Sequence, residues 1–176
     1  MKFTKMALKG AYLVEVERFS DERGFFGRTF CSREFEAQGL NPALVQCSTS
    51  YNSKKGTLRG MHFQTAPFQE AKLVRCTMGA AYDVIVDLRP GSPTYQKWVG
   101  TEITAENRIA LYIPEGFAHG FLTLEDRTEI FYQMSQYWSL PHGAGVRWDD
   151  PAFAIKWPAK PLILSPKDAT YPNVES

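Results

Sequence analysis

The sequence predicts an all-β domain of sandwich or jelly-roll type, and three observations carry that expectation. Short runs rich in β-branched and aromatic residues recur along the chain with turn signals between them. The eleven prolines and thirteen glycines are spread throughout rather than gathered into linkers, and helical signals are weak. Strands are expected at 11–17, at 24–30 after the turn Asp21-Glu22-Arg23-Gly24, and at 44–51. A further strand, 56–64, opens at Lys54-Lys55-Gly56. Strands 71–78 and 80–88 meet at Met78-Gly79, and the stop Arg89-Pro90-Gly91-Ser92-Pro93 separates the latter from 96–104. Strand 110–113 ends at Pro114-Glu115-Gly116, and 120–123, 128–137 and 154–155 complete the set. Ser32 is read as the cap of a short helix ending at Gly39, and Ser165-Pro166 as the start of one turn near the end of the chain. This gives a jelly roll with only minor short helices, and residues 1–176 form one domain.

Strict alternation along Tyr82–Arg89 puts Tyr82, Val84, Val86 and Leu88 on one face and Asp83, Ile85 and Asp87 on the other. Two carboxylates flanking Ile85 make that second face either a solvated exterior or a polar barrel interior. On the strand 56–64, alternation groups Leu58, Gly60, His62 and Gln64 and leaves Arg59 opposite. A bulge at Gly60 would bring Arg59 onto the face of His62, because glycine inside a strand often marks one.

With 44% hydrophobic residues in 176, the chain can enclose a sizeable core. A formal charge of +1 provides no general basic field, so nucleic acid is not an expected partner and charge recognition must be local. The cysteines Cys31, Cys47 and Cys76 are odd in number and lack CxxC spacing, so they read as reduced thiols in a cytoplasmic protein. The first twelve residues hold three lysines and no apolar run, and no stretch of about eighteen apolar residues occurs, so neither a signal peptide nor a membrane partner is expected.

Two of the three histidines sit in glycine-punctuated segments, Gly56-Thr57-Leu58-Arg59-Gly60-Met61-His62-Phe63-Gln64 and Pro114-Glu115-Gly116-Phe117-Ala118-His119-Gly120-Phe121. Imidazole exchanges protons near neutrality, and the cationic Arg59 nearby suits an anionic substrate. Gly56, His62, Gln64 and Glu70, followed by Pro114-x-Gly116-x-x-His119, resemble the two motifs of the cupin superfamily. Metal-dependent cupins usually place a second histidine where this chain has Gln64, a poor ligand for a transition metal. No metal and no other cofactor are therefore expected.

A resemblance to the dTDP-4-dehydrorhamnose 3,5-epimerase family covers nearly the whole chain. It is carried by Phe19-Ser20-Asp21-Glu22-Arg23-Gly24-Phe25-Phe26, the segments around His62 and His119, Lys72-Leu73-Val74-Arg75-Cys76, Asp83–Arg89 and Asp150-Pro151. The resemblance implies a homodimeric cupin jelly roll that works without metal on a nucleotide-diphospho-4-keto sugar. It implies His62 as base, held by Asp168, with Tyr132 as acid and Lys72 as the cation at the sugar's 4-oxygen. Gln46 and His119 match family substrate contacts, and Lys167 joins them beside Asp168.

The chemistry fits those residue types. In a 4-keto sugar, carbons 3 and 5 both flank the carbonyl, so either can lose a proton to give an enolate. Inversion then requires reprotonation from the opposite face. A histidine, of ordinary pKa about 6.5, suits the first task when a carboxylate fixes its tautomer, and a phenol suits the second. A cation stabilises the enolate, and Arg23 and Arg59 suit the diphosphate because guanidinium binds phosphate oxygens bidentately.

Departures from the family pattern fall near the expected nucleotide contacts: Arg28 where glutamate is frequent, Ser48 for asparagine, Ala144 near a usual acidic position, and Trp138 for tyrosine. A shifted base preference is expected from them, around a leading assignment to dTDP-4-keto-6-deoxyglucose. Each role has a plainer alternative: Asp168 as part of a helix cap, Tyr132 as a packed strand aromatic, and Lys72 and Arg23 as surface charges. Two other functions are weighed: a metal-dependent cupin using His62, Glu70 and His119, and a non-catalytic module that binds nucleotide sugars.

Overall fold

The computed structural model describes residues 1–174. Strands β1 (Lys2–Lys5), β2 (Tyr12–Glu15), β5 (Gln46–Asn52), β7 (Lys72–Met78), β10 (Ala110–Ile113) and β12 (Thr128–Met134) form one antiparallel sheet in the order β1-β2-β10-β7-β12-β5. The second sheet runs β13 (Gly143–Gly145), β6 (Thr57–Gln64), β11 (Phe117–Thr123), β8 (Ala80–Asp87), β9 (Trp98–Thr104), with β14 (Ile163–Leu164) paired to β6. Strands β3 (Phe19–Asp21) and β4 (Gly24–Phe26) make a separate hairpin. From β5 to β13 the chain crosses between the sheets at every step but β8–β9, which pair as neighbours, and the all-β expectation holds.

Three apolar layers follow from the strand faces. Between the sheets lie Val74, Ile85, Ile103, Leu111, Ile113, Phe117, Phe121 and Ile130, all almost fully buried. Outside the first sheet, Phe35 of helix α1 (Ser32–Ala37) covers Tyr12, Leu73 and Tyr112. Outside the second, Val84 and Val86 pack with Met61, Val146 and Phe153. The period-two reading of β8 is therefore correct, and its open alternative resolves: Asp83 and Asp87 face inward and are wholly buried.

Asp87 organises the turn after β8. Its carboxylate accepts from Arg89 Nε and Nη2 at 2.8 and 2.7 Å, from the Arg89 backbone at 3.0 Å, and from the Ser92 and Thr94 hydroxyls at 2.6 Å each. Burial pushes its pKa up, but these donors outweigh burial and hold it at about 2, below the ordinary 3.8. The depressed folded value means its stabilisation is complete above the ordinary carboxylate range and is lost as pH falls toward 2. Asp87→Asn is expected to cost about 2 kcal/mol at pH 7. Urea midpoints of the two proteins should converge as the buffer is taken from pH 5 toward pH 2, and a gap that does not change with pH would contradict this.

Several expectations need correction. The run 154–155 is not a strand, because Asp150 folds it into a turn: the Phe153 and Ala154 backbone N–H groups both bond the Asp150 carbonyl, and Ala154 takes φ 48°. Helix α1 is capped by Cys31 rather than Ser32, with no side-chain cap bond. Strands β1, β3, β13 and β14 were not expected: β1 is a lysine-flanked, largely exposed edge, and β13 reads as a turn because two of its three residues are glycine. Strand β12 stops at Met134, three residues short of the expected end, and the chain beyond carries Trp138 to the rim of the interior.

Candidate active site

A cavity of about 430 Å³ opens between the two sheets. Strand register decides what lines it. On the first sheet Tyr132 lies opposite Ser48 on β5 and Val74 on β7, while Met134 lies opposite Gln46 and Lys72, so these neighbours share the inner face. On the second sheet His119 lies opposite both His62 and Ile85. His62 and Tyr132 therefore approach the cavity from opposing sheets.

Arg59 reaches the same cavity through an irregularity in β6. Pairing with β11 steps from His62↔His119 to Arg59↔Phe121, three residues on one strand against two on the other. Gly60 sits in this bulge at φ 147°, where a Cβ would come within 2.6 Å of Gly120 Cα, so only glycine fits. The expected bulge is present. Arg59 Nε donates to Asn52 Oδ1 at 2.8 Å, which aims the rest of the guanidinium into the cavity.

His62 Nε2 lies 2.6 Å from Asp168 Oδ1. Helix α2 (Pro166–Thr170) supplies Asp168, and its cap is Ser165, whose Oγ accepts the Asp168 N–H at 3.0 Å. The backbone N–H of Asp168 thus completes the cap while its carboxylate serves His62. Burial pushes the Asp168 pKa up, but the His62 contact, the Ser165 hydroxyl and the Gly60 backbone together bring it below the ordinary value. Tyr171, just past α2, sets its ring edgewise to His62 at 5.7 Å, and Lys167 lies over that ring.

Deeper in the cavity, His119 Nε2 contacts both oxygens of Asp83 at 2.9 and 3.0 Å, with both side chains buried. The His119 ring meets that of Tyr132 edge-on at 6.0 Å. Burial, then the Asp83 charge, push the Tyr132 pKa far above its ordinary 10, with Arg59 and Ser50 opposing. The phenol is protonated throughout the physiological range, so it carries a proton toward the cavity. Lys72 pairs with Glu70 at 2.9 Å. Among the described residues no group of three or more His, Cys, Asp or Glu side chains converges as metal ligands would.

A profile of the family described as dTDP-4-dehydrorhamnose 3,5-epimerase matches residues 5–176. The chain belongs to that family. It is 43% identical over 175 residues to the dTDP-4-dehydrorhamnose 3,5-epimerase of Sinorhizobium fredii, covering 99% of this chain and 90% of the relative. A crystal structure of dTDP-4-dehydrorhamnose 3,5-epimerase from Bacillus anthracis with TDP and PPi bound superposes with a TM-score of 0.94 at 42% identity, covering 98% and 99% of the two chains. A Legionella pneumophila dTDP-6-deoxy-D-glucose-3,5-epimerase in complex with dTDP-4-keto-L-rhamnose gives 0.89 at 34% identity, with 99% of each chain covered. This cavity is thus that of an epimerase-family cupin jelly roll.

Of the residues singled out in the sequence, His62, Tyr132, Asp168, Lys72, Gln46, Ser48, Arg59, His119, Trp138 and Lys167 all line the cavity. Arg23 and Arg28 do not. Arg23 is held by Asp21 within the exposed β3–β4 hairpin, and Arg28 by Glu34 at 2.7 Å, so neither reaches the cavity of its own chain. Trp138 lies at the rim with its backbone N–H bonded to Gln46 Oε1 at 3.0 Å. Its ring covers Gly143, where a Cβ would come within 2.2 Å of Cη2. Sequence reasoning missed Tyr171 and the Asp83–His119 pair. Asp83 was visible as a carboxylate on the face of Ile85, whereas nothing in the pattern around Tyr171 marks it.

Proposed function

We propose that this chain inverts carbon 3, carbon 5 or both in a nucleotide-linked 4-keto-6-deoxyhexose, with dTDP-4-keto-6-deoxyglucose as the leading substrate. The observation that carries the reading is the placement of a carboxylate-held His62 and the phenol of Tyr132, protonated at neutral pH until it gives its proton to the sugar and is reprotonated from solvent, on opposing sheets of one cavity. His62 takes a proton from the carbon beside the ketone, and the electron pair moves onto the 4-oxygen beside Lys72. Tyr132 then delivers a proton to the other face of that carbon. Arg59 takes the diphosphate, with Gln46, Ser48, His119, Trp138 and Lys167 as further contacts.

Residues 1–176 act as one domain and need no cofactor or metal. Each carboxylate at the cavity is committed to its own partner, Asp83 to His119, Asp168 to His62 and Glu70 to Lys72. The protein works in the cytoplasm as a homodimer: Phe19 and Phe26 of the β3–β4 hairpin are 74% and 78% exposed, and a second copy would cover them. Such a copy also gives Arg23 and Arg28 a route to a diphosphate or base in its partner's cavity. Sedimentation of a Phe26→Asp variant as a dimer of unchanged affinity would remove the hairpin from that interface.

The test is incubation with the dTDP-, UDP-, CDP- and GDP-linked 4-keto sugars in heavy water, with and without chelator, followed by NMR. Deuterium at C3 or C5 of an inverted product, unaffected by chelation, is expected. Binding without exchange would leave a nucleotide-sugar-binding module, and silence after metal removal would favour a metal-dependent cupin. A dTDP dissociation constant less than about tenfold below those of UDP, CDP and GDP, roughly 1.4 kcal/mol, is the outcome expected if Arg28, Ser48 and Ala144 alter base recognition.

A further inference from the structure

We infer that Glu70 is a positioning residue for the reaction, aiming the Lys72 ammonium at the developing enolate oxygen; this rests on the role given to Lys72 above. Lysine carries its charge on a flexible four-carbon stem, so its ammonium stays at one point only if something holds it. Glu70 supplies the hold. Its Oε1 lies 2.9 Å from Lys72 Nζ, and the two side chains are only 7% and 12% exposed.

The carboxylate is itself fixed. Its other oxygen, Oε2, accepts from Gln64 Nε2 at 3.2 Å. Gln64 is 2% exposed. Its Nε2 also lies 2.9 and 3.1 Å from the Phe68 and Tyr137 carbonyls, so its two N–H groups are shared among three acceptors, and its Oε1 accepts the Ser139 N–H at 2.7 Å. Three acceptors around one end and a backbone donor at the other fix the orientation of the amide. Gln64 stands on β6 two residues from His62, so one strand carries the base and the anchor of the cation's support. The chain Gln64, Glu70, Lys72 thereby ties the position of the positive charge to the strand that removes the proton. The ion pair with Glu70 uses one direction of the ammonium and leaves the others for substrate, since both residues line the cavity.

A double-mutant cycle tests this with purified full-length protein and dTDP-4-keto-6-deoxyglucose. Lys72→Met should lower kcat by about 100-fold. Glu70→Gln, which keeps the shape of the side chain, should lower kcat by about 10- to 100-fold while KM changes by less than about threefold. In the Lys72→Met background, Glu70→Gln should have no effect beyond about twofold, because its only route to the chemistry is gone. Glu70→Asp, which retracts the charge by one methylene, gives the same reading should the glutamine variant not fold. Three results overturn the inference: wild-type kcat in Glu70→Gln, a penalty confined to KM, or penalties that multiply in the double variant. If Lys72→Met retains full turnover, the role of Lys72 itself falls and Glu70 falls with it; if only Lys72→Met is slow, the Lys72 reading stands and the inference about Glu70 fails.

Discussion

His62→Ala lowers turnover by about 100- to 10,000-fold, the usual contribution of a positioned acid or base, and abolishes exchange of solvent deuterium into the sugar. The argument is geometric. His62 projects from the inner face of β6 into the cavity, and its Nε2 is engaged by Asp168 Oδ1 at 2.6 Å. That contact fixes one ring nitrogen and leaves the other to take a proton. A carboxylate held below its ordinary pKa stays ionised throughout the working range and stabilises the imidazolium once it forms. Asp168→Asn should therefore lower kcat more than KM while leaving the fold intact, because Ser165 still caps α2 through the backbone N–H of residue 168. NMR of the recovered substrate is the readout. A His62→Ala protein that keeps more than about a third of wild-type turnover would remove His62 from the chemistry.

How much of this was legible in the sequence depended on whether the determining pattern was local. Strands β7, β8 and β10 could be read almost to the residue, since their apolar periodicity and the glycine and proline stops around them are local signals. The inward direction of Asp83 and Asp87 was not. Alternation gives the two faces of β8 but not which one turns to the interior, and that is decided by Val146 and Phe153 covering the face of Val84 and Val86. Gly60 announced the bulge that brings Arg59 beside His62, although only the pairing with β11 shows where the extra residue lies.

The link from His62 to Asp168 spans 106 residues, and no local rule reaches that far; the family resemblance supplied it. Arg23 and Arg28 show the converse. Diphosphate chemistry singled out Arg23 and a departure from the family pattern singled out Arg28, whereas a single chain holds them on Asp21 and Glu34, outside the cavity. In the proposed dimer such a contact lies between copies, and the intrachain pattern of either residue does not report it.

Tyr132→Phe should uncouple the two halves of the reaction. The substitution removes one hydroxyl from a ring packed against the interior core and leaves the aromatic surface in place, so the stability of the fold should change little. In the proposed division of roles, proton removal falls to His62 on the opposite sheet and survives the change. Return of the proton to the other face does not, because the phenol is the protonated group there. Burial and the Asp83 charge keep it so by raising its pKa, with Arg59 and Ser50 opposing. Net epimerisation should fall by about 100-fold or more, while deuterium still washes into the substrate with retention of configuration, since His62 can return a solvent-derived proton to the face from which it took one. The ratio of wash-in to inversion, read by NMR in heavy water, is the decisive quantity. If exchange and inversion fall together while substrate binding is unchanged, His62 and Tyr132 do not divide the two proton transfers. If the ratio rises as expected, the opposed sheets of the jelly roll account for the stereochemistry, with each supplying the proton chemistry of one face of the sugar.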